Sequence, residues 1–129
     1  MKQRDLVSSW SAPDNSRLTA KQVSLRFPVH VAARIAALCE MYPRKTRTEI
    51  IGDLLAVALE GVQAQFPEVR GEFLGEDPDT HKGQFLAAGT LERFRQLTNR
   101  HYRELEKELG NESPEDFFRQ PFVIEVDPD

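Results

Sequence analysis

Gln22-Val23-Ser24-Leu25-Arg26-Phe27-Pro28 is the stretch on which the reading of this chain turns. Polar and apolar side chains alternate along it. A period of two puts Val23, Leu25 and Phe27 on one face and Gln22, Ser24 and Arg26 on the other. That is the pattern of one amphipathic strand. Pro28 suits the first turn of a following helix, where a missing N–H costs nothing. Val31, Ile35, Leu38, Cys39 and Tyr42 then recur at helical spacing. Pro43 stops that helix, because the residue before a proline disfavours the α region.

Thr46-Arg47-Thr48-Glu49 has the form of a capping box, in which the threonine hydroxyl and the glutamate carboxylate each satisfy the other residue's amide. Behind it run Ile50, Ile51, Leu54, Leu55, Ala58, Leu59 and Val62, an apolar stripe broader than a lone surface helix needs. Gly61 and Pro67 bracket its expected end. A single strand leaves its backbone groups unpaired, and two short helices make a poor core. Two copies solve both problems. Their strands pair antiparallel across a two-fold axis over four helices. The expected dimer core is Val23, Leu25, Phe27, Val31, Ile35, Leu38, Ile50, Ile51, Leu54, Leu55 and Leu59.

These segments, strand and proline followed by Thr46-Arg47-Thr48-Glu49-Ile50-Ile51, resemble the Arc/MetJ ribbon-helix-helix superfamily. The resemblance covers about 42 of 129 residues. It implies a mainly α chain: a ribbon-helix-helix unit, intertwined as a homodimer, with an α-rich C-terminal extension. There are departures. Pro43 stands where a glycine is usual, and Gly52 interrupts the second helix. The Arg–Glu–Arg triad buried in one member of the family is matched only by Arg44 and Glu49, with Asp53 in the third place.

An antiparallel ribbon fits the major groove of B-DNA. Arg26 has the donors for guanine O6 and N7, Gln22 pairs with adenine N6 and N7, and Ser24 either donates or accepts. The start of the second helix offers free amides and a dipole that favours phosphate. Arg44, Lys45, Thr46, Arg47 and Thr48 are therefore the expected phosphate contacts, and the resemblance puts the family's phosphate-contact region on the same residues. The bland alternatives are a solvated strand face and a solvated basic loop.

Charge is split along the chain. The net −4 divides into nine Lys and Arg against six Asp and Glu in residues 1–62 (+3), and eight against fifteen in residues 63–129 (−7). Phosphate binding depends on local charge, so the basic half remains compatible with DNA. Residues 1–20 are rich in turn formers, with Trp10 as their main anchor, and predict a flexible arm. Residues 21–62 form the DNA-binding and dimerisation domain, and 63–89, with several glycines, a linker. Within the 90–129 extension, a helix spans Thr90 to Leu109 with an apolar side of Leu91, Phe94, Leu97, Tyr102, Leu105 and Leu109. A helical turn follows at Ser113, and a short strand at Phe122 to Val126.

The expected function is a sequence-specific transcriptional regulator, a repressor, acting on double-stranded DNA as a homodimer, with further association of dimers on DNA. The main alternative is an antitoxin whose acidic residues 63–129 bind a toxin. Dimerisation without DNA binding is a third reading. A helix-turn-helix fails because the second helix lacks exposed base-reading groups. An enzyme has no supporting motif. Glu104, Glu106 and Glu108 read as solubilising charge. No cofactor is expected, and His30, His81 and His101 lack ligand spacing, so no metal either. One cysteine, no signal-peptide pattern and no apolar run of membrane length fit a cytoplasmic protein.

Overall fold

The computed structural model describes residues 6–10 and 17–128. It divides into two compact units, Met1–Ala64 and Gln65–Asp129. Of the arm predicted for residues 1–20, positions 1–5 and 11–16 lie outside the described residues.

In the N-terminal unit a single helical turn, α1 (Leu6–Ser9), precedes two longer helices, α2 (Val29–Met41) and α3 (Arg47–Gln65). Pro28 sits at the N-cap of α2 with φ −53°, the value its ring imposes. Tyr42 ends the helix, its N–H reaching back to the Leu38 carbonyl. The Thr46 capping box forms as its spacing predicts. Glu49 N–H donates to Thr46 Oγ1 and Thr46 N–H donates to Glu49 Oε1, both at 3.1 Å. Leu6 and Trp10 are buried with Ile50 and Val57, and Leu38, Cys39, Tyr42 and Leu54 pack around them. Within the segment expected as a flexible arm, Leu6 and Trp10 are therefore docked on the core.

The C-terminal unit holds a three-stranded antiparallel sheet in the order β1-β2-β3 and one long helix. The strands are β1 (Val69–Glu76), β2 (Gly83–Ala88) and β3 (Val123–Val126), and the helix is α4 (Gly89–Glu108). The turn between β1 and β2 is built by Asp77. Its side chain accepts from the amides of Asp79 and Thr80, and its carbonyl accepts from His81 N–H. Gly71 lets β1 lie flat on β2, since a Cβ there would come within 2.9 Å of the Leu86 carbonyl oxygen. Gly89, at φ +77°, turns the chain from β2 into α4 hard against Val69.

This overturns the expected fold class. The chain is α+β, with a β-sheet that follows the first two long helices, and not a ribbon-helix-helix with an α-rich extension. The only strands among the described residues lie at 69–76, 83–88 and 123–126, and residues 22–27 are not among them. The alternation at 22–27 supplies a strand-like face, but a strand exists only where a second one accepts its hydrogen bonds, and no described residue does so. The predicted linker 63–89 is instead the end of α3 and a β-hairpin, and the expected turn at Ser113 is not helical. The helix near 90–109 and the strand at 123–126 match the sequence reading closely.

The face of α4 that is buried also differs from expectation. Leu91, Glu92, Arg95, Asn99 and Glu106 are buried, while Leu97, Leu105 and Leu109 are exposed. The segment after α4 provides the reason, because it brings polar backbone and an aromatic ring to that face. Asn99 Nδ2 donates to the Phe118 carbonyl at 2.8 Å and its Oδ1 accepts Phe118 N–H at 2.7 Å. The Arg95 guanidinium lies over the Phe122 ring at 3.4 Å and pairs with Glu92 at 3.7 Å. Glu106, expected as solvated charge, accepts from the Asn111 side chain.

Candidate nucleic-acid interface

Three parts of the N-terminal unit carry the predicted site residues. The first is the segment 22–28. Gln22, Ser24 and Arg26 are exposed, as base contacts would have to be. Val23 and Leu25 are exposed too, to 78% and 60%, and so do not sit in a core of this chain. Residues 22–27 make no hydrogen bond to any described residue, which leaves their amides and carbonyls to solvent or to a partner.

The second part is the turn from α2 into α3. Lys45 N–H closes it onto the Tyr42 carbonyl at 3.1 Å. The capping box consumes the Glu49 amide, and Ile50 N–H bonds the Thr46 carbonyl. The amides of Arg47 and Thr48, the first two of the helix, have no partner among the described residues. They are free for an acceptor. Arg44, Thr46, Arg47 and Thr48 are exposed around them.

Lys45 differs from its neighbours. Its side chain is only 7% exposed, and its ammonium lies 3.4 Å from Glu49 Oε2. That charge is already matched within the chain, which leaves Arg44 and Arg47 as the open cations of the turn. Glu49 in turn is held below the ordinary carboxylate range, first by the Thr46 amide, then by the Thr46 hydroxyl, with Lys45 adding to both.

The third part is an apolar groove of about 380 Å³ between α2 and α3, with Phe27, Val31, Ile35, Leu38, Ile51 and Leu55 among its walls. Leu54 and Ala58 also line it, and Arg34 borders it with its guanidinium held by the His30 ring and carbonyl. Most of the expected dimer-core residues therefore do converge on one face. Ile50 does not, being fully buried beneath Trp10 in its own chain's core. Leu59, 56% exposed, stands outside the groove walls.

What the sequence reading missed is the anchoring of the first residues. Trp10 Nε1 donates to Asp53 Oδ2 at 2.8 Å, and its ring meets Tyr42 edge-on at a centroid distance of 5.1 Å. The signal was a lone tryptophan in a polar stretch, together with Asp53 as the one charged residue between Ile50 and Leu59.

Among the described residues no helix is long and apolar enough to cross a membrane. No family model, curated protein or solved structure matches the chain.

Proposed function

We propose that this chain is a sequence-specific DNA-binding regulator of transcription that acts as a homodimer. Phosphate is bound at the start of α3 by the free amides of Arg47 and Thr48, with Arg44 and Arg47 supplying charge. Bases are read by Gln22, Ser24 and Arg26. The observation that carries the reading is the turn itself: two exposed arginines flank a capped helix start whose first two amides are unpaired. Such a helix start attracts an oxyanion through both its donors and its dipole. Phosphate contacts orient a protein on the duplex, and base contacts then select the sequence.

The second copy has its own support. The groove and the exposed Val23 and Leu25 expose apolar surface that a soluble chain normally covers. One unit thus offers both an open apolar wall and apolar side chains able to fill it. The alternative of toxin binding through residues 63–129 has less to rest on. Residues 65–129 fold into their own sheet and helix, with Asn99 tying the end of the chain to α4.

Selection of bound duplexes from a random pool, followed by titration of the selected and a scrambled duplex, tests the proposal. Arg26→Ala is expected to narrow the preference between them by about tenfold or more, since one bidentate base contact discriminates by about 1–3 kcal/mol. Arg44→Ala or Arg47→Ala is expected to weaken both duplexes alike and to flatten the salt dependence by about two units each, since both copies lose the cation. A wild-type chain that retains no duplex at low salt contradicts the reading.

A further inference from the structure

Trp10 holds two elements at once. It is 5% exposed, donates to Asp53 on α3, and abuts Tyr42 at the end of α2. Tyr42 and Asp53 stand on either side of the turn 43–46. The Tyr42 carbonyl is also the acceptor that closes that turn through Lys45 N–H. Leu6 buries itself in the same cluster and seats the segment. One indole therefore bridges the two helices whose junction carries Arg44, the capping threonine and the free amides.

We propose that Trp10 is a positioning residue for this turn, so that docking of the Leu6–Trp10 segment and duplex binding favour one another. The proposal rests on the reading of Arg44 to Thr48 as the phosphate contact. A released Trp10 frees Tyr42 and Asp53, and the turn between them loses a side chain that bridges the two. Arg44, which lies in the turn, then loses its set position relative to the first amides of α3. Coupling of this kind is reciprocal: whatever docking adds to duplex affinity, duplex adds to docking. Trp10 is the sole tryptophan of the chain, so its emission reports the docking directly.

The test uses the full chain with Trp10→Ala and Trp10→Phe, the latter keeping a ring against Tyr42 but losing the indole N–H. Two quantities are read: amide hydrogen exchange of the free protein, and affinity for a random-sequence duplex over a salt series. Trp10→Ala is expected to speed exchange of the Lys45, Glu49 and Ile50 amides by about tenfold, the equivalent of one hydrogen bond and an aromatic contact. It is also expected to flatten the salt slope by about one unit or more. Trp10→Phe should fall between it and wild type on both. Faster exchange spread evenly over α2 and α3, with the salt slope unchanged, would show Trp10 to be ordinary core and overturn the proposal. Unchanged exchange at the three amides, while wild type binds duplex, would also overturn it and leave the DNA reading standing. Faster exchange confined to them, with no duplex affinity in wild type, would remove the DNA reading and keep the hold of Trp10 on the turn.

Discussion

Val23, Leu25, Leu55 and Leu59 of the N-terminal unit are each at least half exposed, whereas Glu92, Arg95 and Asn99 of the C-terminal unit are buried. Both units leave apolar side chains in water, Phe73 and Phe117 in the second among them, but the charged and amide residues buried among the described ones all lie in the second. The contrast teaches what each unit lacks. Exposed aliphatics and an apolar groove make the surface on which the proposed second copy would sit. Buried polar groups need satisfied bonds, and in the C-terminal unit much of that satisfaction comes from the chain's own residues 111–122. In the second unit residues 111–122 thus bond the buried polar face of α4; in the first the described core lies on the side that Trp10 covers.

The largest expected effect breaks the buried pairing on α4 of the C-terminal unit. Arg95→Met leaves the Glu92 carboxylate buried without its counter-charge and should lower stability by about 3 kcal/mol, measured by urea unfolding. The double variant Glu92→Leu/Arg95→Met should recover most of that loss. A double variant as unstable as the single would mean that the packing of Arg95 on Phe122, and not the pair, carries the energy. Asn99→Ala should cost about 2 kcal/mol in the same assay, because both backbone groups of Phe118 lose their partner.

Smaller effects probe the N-terminal unit. Thr46→Ala removes the acceptor for the Glu49 amide and should cost about 1 kcal/mol. Gly52→Ala should stabilise by about 0.5–1 kcal/mol, since Gly52 lies inside α3 and an added methyl meets nothing within 4 Å among the described residues outside its own helix backbone. Destabilisation there instead would mean that the proposed second copy packs against Gly52. The pH dependence is the smallest signal. A carboxylate with a lowered folded pKa adds stability that is fully present above its unfolded value and is lost as the pH falls through the folded one. The advantage of wild type over Glu49→Gln should therefore hold from neutral pH down to about 5 and shrink below about 4.

How much of this was legible in the sequence depended on the range of the physics involved. Pro28, Pro43 and the Thr46–Glu49 spacing act within a few residues, and they located α2 and α3 and the turn between them. The alternation at 22–27 is also local, but a strand needs a remote partner. The same pattern therefore predicted an element that has none among the described residues. The hairpin was missed for the converse reason. Gly71, Gly75 and Gly83 were read as loop formers, whereas β1 is bulged between Arg70 and Phe73 and again before Gly75. Phe73-Leu74 and Phe85-Leu86 on either side of Asp77-Pro78 were the available signal. The face of α4 was unreadable because its helical period pointed to leucines, while Phe118 and Phe122, far along the chain, drew Asn99 and Arg95 inward. In the candidate site, exposure of Gln22, Ser24, Arg26, Arg44 and Arg47 followed from the pattern. The pairing of Lys45 with Glu49 did not, although the two are four residues apart on the chain.

The central claim is that the turn before α3 grips duplex DNA in two copies. Anisotropy of a labelled duplex, titrated with the full chain over a series of salt concentrations, tests it most directly. Two copies each offering Arg44 and Arg47 neutralise about four phosphates, which predicts a log–log salt slope of about −4. A slope near zero, or no binding at the lowest salt, would contradict the account.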